Sequence, residues 1–151
     1  MTNTVKPSKP PFIKQETPDS CVPACLRMIF AGYGLSVSER ELRELCDCTF
    51  MGTDALQTVR VAHQYGFLNS AKHTLTINEL SAIVSDGNLP IAFLELSLVN
   101  GGYAPHAVIV LDVTPFSIAV IDPDVGERLI PREAFLVAWK WRHNLAILVL
   151  P

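Results

Sequence analysis

The hydrophobic pattern changes period close to Pro90, and that change limits the possible folds more than any other feature of the chain. Before it, apolar residues recur at helical spacing. Ala24, Cys25, Met28 and Ile29 form one stripe and Leu26 and Phe30 a second, so a mostly buried helix is expected to end near Gly32 or Gly34. Ser38 with Glu41 three residues later has the form of a capping box opening SERELRELC. TDALQTVRVAHQYG reads as the next helix, capped by Thr53 or Asp54 and stopped by Gly66, and Thr76 with Glu79 opens a short one through Val84. After Pro90 the apolar runs are continuous or rich in β-branched residues: Ile91–Leu98, His106–Val113 and Ser117–Ile121, the last two joined as a hairpin through Thr114-Pro115. Arg132–Trp139 reads as a short amphipathic helix and Leu145–Leu150 as a closing strand. Helices first and strands afterwards specify an α+β fold with an antiparallel sheet.

The 151 residues suit one domain, and 49% of them are apolar against 18% charged, enough oily surface to offset the ordering entropy of a compact fold. Residues 1–11 stand apart as a Lys/Pro-rich stretch, expected to be a flexible tail ahead of a single domain over residues 12–151. The net charge of −3 has the wrong sign for a nucleic-acid footprint, so no nucleic-acid partner is expected. No apolar stretch reaches the roughly 18 residues of a membrane helix, and no apolar run follows the start as in a signal peptide. The expected compartment is therefore the cytoplasm, where thiols stay reduced. Cys21, Cys25, Cys46 and Cys48 fit no disulfide scaffold, and their C-x3-C and C-x-C spacings depart from those of structural zinc sites.

Among them Cys21 is the sharpest chemical feature. Pro23 has no N–H to donate and is tolerated in a helix only in its first turn, which places the helix start at about Ser20 or Cys21. Cys21 then sits at the positive end of the helix, where a thiolate is stabilised. Cys25, one turn further in, reads as a small buried packing residue. A thiolate nucleophile needs a base, a group to orient that base, and donors for the oxyanion. His106 opens a strand after the loop NGGYAP, and Asp122 closes the next strand in IDPDVGE. If the two strands pair, the imidazole and the carboxylate meet at one end of the sheet. Gln15, six residues before Cys21, has a side-chain amide suited to the oxyanion beside the Cys21 N–H. His63, His73 and His143 have no matching carboxylate at a strand end and read as bystanders.

In that order, Gln15, Cys21 with ACLRMI and Tyr33-Gly34, the histidine strand HAVIVLDV and the aspartate turn IDPDVGE resemble the bacteriocin-processing peptidases. These are papain-like domains that cut leader peptides after a double glycine. The resemblance extends through nearly the whole chain and takes in GTDALQTVRVAHQYGF and LPIAFLEL. It implies a papain-like cysteine peptidase fold with Cys21 as nucleophile, His106 as general base and acid, Asp122 as orienting carboxylate and Gln15 as oxyanion donor. It implies no cofactor, a peptide or protein substrate, and an exporter or a peptide-modifying pathway as the partner system. Val22 stands where many members have glycine, and a bulkier residue there is expected to narrow or reshape the oxyanion site. A non-catalytic peptide-binding module on the same fold, or another acyl transfer such as deamidation or amide formation by the same nucleophile, are the alternative readings. NGGYAP and the Cys46–Met51 loop are expected to help wall the substrate groove.

Overall fold

The computed structural model describes residues 5–46, 54–95 and 105–151. Along the chain run α1 (Cys21–Gly32), α2 (Glu39–Leu45), α3 (Ala55–Gln64), β1 (Ala71–Thr74) and α4 (Ile77–Ser85). They are followed by β2 (Ile91–Glu95), β3 (Pro105–Val113), β4 (Ser117–Asp122), β5 (Gly126–Pro131), α5 (Arg132–Lys140) and β6 (Leu145–Leu148). The described strands form one sheet in the order β1-β6-β2-β3-β4-β5, and each neighbouring pair is antiparallel. The α+β class with an antiparallel sheet is thus as expected from the sequence.

Both faces of the sheet are covered, which explains the unbroken apolar runs of the central strands. Along β2, Ile91 and Phe93 join the core under α1, α2 and α3, while Ala92 and Leu94 join a second core under α4 and α5. β3 does the same, with Ala107 and Ile109 on the first face and Val108 and Val110 on the second. Alternate residues of a strand point to opposite faces, so a two-sided strand needs apolar residues at every step. Phe30, Leu26 and Met28 of α1 fill the first core, and Trp139 and Phe135 of α5 the second. Each such fully buried side chain contributes about 2 kcal/mol relative to exposure. The Trp139 indole N–H donates to the Leu145 carbonyl at 2.9 Å, so the largest core residue leaves no orphan donor.

The start and stop signals act where expected. Asp54 caps α3 by accepting from the N–H groups of Leu56 and Gln57, and Thr76 with Glu79 forms a reciprocal capping box on α4. The Ser38 hydroxyl accepts from the Glu41 N–H at the start of α2. Gly34 and Gly66, at φ +86 and +94, end the chain turns after α1 and α3 in the left-handed region. Two strands are additional to those expected from the sequence: β1, which carries His73, and β5, which continues the β3–β4 hairpin into a meander. Strand β2 ends at Glu95, and the remainder of Ile91–Leu98 lies outside the described residues.

Residues 5–11, read from sequence as part of a flexible tail, have neither helix nor strand but bond to the body of the fold. The Ser8 N–H donates to the Gly32 carbonyl at 2.8 Å, and Lys6 pairs with Asp86 at 2.9 Å. A Cβ at Gly32 would meet the Ser8 carbonyl oxygen at 2.5 Å, so this approach requires glycine. Lys9 pairs with Glu127, and Pro10 is buried.

Candidate active site

Helix α1 starts at Cys21, with Ser20 as its N-cap and Pro23 in the first turn. The Ser20 side chain does not cap the helix. Its hydroxyl instead exchanges hydrogen bonds with the Thr17 N–H and carbonyl, both at 3.0 Å. Ser20 therefore supplies no side-chain acceptor to the first-turn N–H groups, and the partial positive charge of the helix N-terminus lies at the Cys21 end. Cys21 is 8% exposed. Val22 packs inside the core cluster with Cys25 and Leu26, so its bulk is taken up by the interior.

The β3–β4 pairing puts Ile109 opposite Ile121, and continuing the two strands toward the same end of the sheet brings His106 and Asp122 together. His106 Nε2 lies 2.7 Å from Asp122 Oδ1, and both side chains are buried. Asp122 takes up Nε2, so Nδ1 is the ring nitrogen left for Cys21, whose thiol is near enough to act on the imidazole's pKa. Burial is the largest single influence on His106 and pulls its pKa down. The hydrogen bonds to Asp122 and Cys21, with the charges of both, outweigh it and push the imidazole up to about 9. It is therefore an imidazolium at neutral pH.

Asp122 is the mirror case. Burial pushes its pKa up, but the His106 hydrogen bond and charge, the Asp124 N–H and the Arg128 guanidinium outweigh that and hold it below the usual carboxylate range. Its Oδ1 also accepts from the Asp124 N–H at 2.9 Å, and Oδ2 from Arg128 Nη1 at 3.3 Å. Arg128 was not anticipated from sequence. The only available signal was its place six residues after Asp122, in a segment not read as a strand; in β5 it lies opposite Val120 and reaches the carboxylate from the next strand.

Gln15 is also brought to this end of the molecule. Its backbone N–H donates to the Pro123 carbonyl at 2.7 Å, which ties it to the turn after Asp122. One N–H of its side-chain Nε2 donates to the Thr17 carbonyl at 2.8 Å. That bond fixes which end of the amide is nitrogen, since an oxygen there would face the Thr17 oxygen. Among the described residues the second N–H of Nε2 has no acceptor.

Cys25 is fully buried, with Sγ 3.6 Å from the Ala107 carbonyl oxygen. Burial, then the charges of Cys21 and Asp122, push its thiol well above the ordinary value, so it stays neutral and packs. His63 Nε2 is 2.9 Å from the Ser70 carbonyl oxygen, His73 lies in β1 and His143 lies exposed after α5, all as bystanders to this cluster. Cys21 and Cys25 are free thiols. Among the described residues no three His, Cys, Asp or Glu side chains gather as a metal site, and no helix is long and apolar enough to cross a membrane. Cys48, Cys46–Met51 beyond Cys46, and all of NGGYAP except Pro105 lie outside the described residues.

The sequence pattern that defines the peptidase C39 family matches residues 9–150. The chain belongs to the peptidase C39 family. It is 35% identical over 122 residues to the transport/processing ATP-binding protein ComA of Streptococcus pneumoniae, an alignment covering 79% of this chain and 16% of that protein. The chain thus spans about one sixth of the length of that curated relative. The peptidase domain of Streptococcus ComA, a bifunctional ABC transporter of a quorum-sensing pathway, superimposes with a TM-score of 0.78 at 26% identity over 92% of this chain and 96% of that domain. A double glycine motif protease from an AMS/PCAT transporter, solved with its leader peptide, gives a TM-score of 0.78 at 21% identity over 97% and 99% of the two chains. It shares the fold, with helices packed on an antiparallel sheet.

Proposed function

We propose that this C39 domain is a cysteine peptidase that cleaves a leader peptide after a double glycine, with Cys21 as nucleophile. The observation that carries the reading is the buried His106–Asp122 pair at 2.7 Å with Cys21 on the other side of the imidazole. Membership of the C39 family and the likeness to transporter peptidase domains support the substrate class. The exporter partner and a cytoplasmic setting belong to the same proposal, as does a single peptidase domain from residue 12 onward.

The chemistry follows from the roles. The imidazolium of His106 sustains a thiolate at Cys21, which attacks the scissile carbonyl carbon and pushes its π electrons onto oxygen. The Cys21 N–H, at the start of α1, and the second Nε2–H of Gln15 donate to that oxyanion. Collapse breaks the C–N bond, and His106 Nδ1–H gives its proton to the leaving amine. Neutral His106 then takes a proton from water, which attacks the thioester and releases the acid and the thiol. Asp122 holds the ring by Nε2 throughout and stabilises its charged form.

The test is incubation with a synthetic peptide carrying an internal Gly-Gly, read by mass spectrometry. Cleavage after the second glycine by the wild type, and none by Cys21→Ala, is the expected result. An intact peptide with wild type, or equal cleavage by the variant, refutes the proposal. Transfer of the acyl group to an added amine in place of water would identify the acyl-transfer alternative.

A further inference from the structure

Among the described residues, the one fully buried carboxylate outside the Cys21–His106–Asp122 cluster belongs to Glu39, at 0% exposure in the first turn of α2. Its position is unusual for a first-turn acid, which ordinarily faces water near the helix N-terminus. Both of its oxygens accept from the backbone N–H of Glu16, each at 3.0 Å. The Ser20 hydroxyl also reaches this carboxylate, and Arg43 Nε lies 3.9 Å away as a partial counter-charge. Burying a carboxylate is costly unless it is hydrogen-bonded, so its bonds to the loop are what hold it there.

The Glu16–Ser20 loop has neither helix nor strand, yet it joins two groups of the site. Gln15 stands just before it and Cys21 just after it. Its internal bonds, Gln15 Nε2 to the Thr17 carbonyl and the Thr17–Ser20 exchange, make it one unit. The Gln15 N–H ties one end of that unit to Pro123. At its first residue, Arg27 reaches Glu16 from the surface at 3.5 Å, with both side chains partly exposed. Such a pair is weak. Glu39 is the group from the interior that holds the loop, through the Glu16 N–H and Ser20.

We propose that Glu39 is a positioning residue for the oxyanion site: its carboxylate fixes the segment between Gln15 and Cys21, and so the distance of the Gln15 amide from the thiol. The inference rests on the catalytic reading given above. Glu39 touches neither Cys21 nor the imidazole, so its removal should loosen the oxyanion donor and leave the thiolate intact.

Two reagents separate those effects. Iodoacetamide alkylates a thiolate by displacement and forms no oxyanion. A peptide ending in glycine aldehyde adds Cys21 to its carbonyl and forms a tetrahedral adduct that needs the oxyanion donors. Glu39→Gln is expected to lower kcat per titrated thiol about tenfold, in line with the cost of small misplacements. It should weaken aldehyde binding by a similar factor and change the iodoacetamide rate at Cys21 by less than about twofold. Glu39→Asp, which keeps the charge on a shorter arm, should recover part of the loss. In a Gln15→Ala background, Glu39→Gln should add less than about twofold to the kcat loss, because both changes act on one donor.

A proportional loss of alkylation and aldehyde binding, or full additivity with Gln15→Ala, overturns the proposal. If Glu39→Gln does not fold, Glu39→Asp carries the same comparison, and wild-type values there overturn it as well. A wild type that is alkylated but neither cleaves nor binds the aldehyde sinks the catalytic reading itself, and this proposal with it. A fully active wild type with unchanged Glu39 variants sinks this proposal alone.

Discussion

His106 gives the most quantitative test of the site. Its folded-state pKa of about 9 lies above its ordinary 6.5, so the folded protein holds the imidazole proton more tightly than the unfolded chain does. At about 1.4 kcal/mol for each tenfold in proton affinity, that difference is worth about 3 kcal/mol. The stabilisation is complete below about pH 6.5 and is lost as pH rises through about 9. The perturbation is His106→Gln, which keeps a polar side chain beside Asp122 but cannot take a proton. Urea unfolding of both proteins at intervals from pH 6 to 9.5 gives the stability of each, and their difference cancels the titrating groups that do not interact with His106. That difference should narrow by about 3 kcal/mol across the range, with the wild type losing its advantage at the alkaline end. A difference constant to within about 0.5 kcal/mol would show that folding adds no net proton to the His106–Cys21 pair across this range, and the roughly 3 kcal/mol of proton linkage worked out here would be refuted.

Cys21→Ala should abolish peptide cleavage while the thermal midpoint stays within a few degrees of wild type; retained turnover would refute the nucleophile. Iodoacetamide at neutral pH should modify Cys21 far faster than Cys25, whose thiol is buried and pushed up in pKa, and peptide mapping that found equal rates would contradict the imidazolium-sustained thiolate. Arg128→Ala removes one of the influences that outweigh burial at Asp122, so this carboxylate should protonate at higher pH than in the wild type. Activity that depends on ionised Asp122 is lost as pH falls through its pKa, so the acid limb of kcat/KM should move to higher pH, with little change near neutrality. An unmoved acid limb would leave Arg128 as a surface residue only.

What the sequence revealed and what it hid follow from the same packing. Strands β2 and β3 are buried on both faces, so their apolar runs were unbroken and could be read directly, and the hairpin that brings His106 to Asp122 came with them. Cys21 could be chosen over Cys25 because Pro23 marks a helix start by its missing N–H, and α1 begins there. The strands that escaped, β1 and β5, are the two edges of the sheet. An edge strand has to discourage further pairing, and it does so by being short and by carrying charges and proline. β1 is four residues with Lys72 and His73, and β5 carries Glu127, Arg128 and Pro131. Those traits blunt an exposed edge and also erase the apolar signature by which a strand is recognised. Arg128 was lost with its strand, although it braces the carboxylate that the reading had found. Glu39 was hidden differently: an acid in the first turn of a helix has an adequate local explanation in the helix dipole, so nothing in the sequence pointed to a second partner. Only the return of residues 15–20 over α2 makes it a buried acceptor for the Glu16 N–H. The groups proposed for the thiol chemistry sit at element ends with strong local signals, and the groups that brace them are joined through long-range contacts. A single sequence therefore exposes the reacting residues of such a site more readily than the residues that hold them in place.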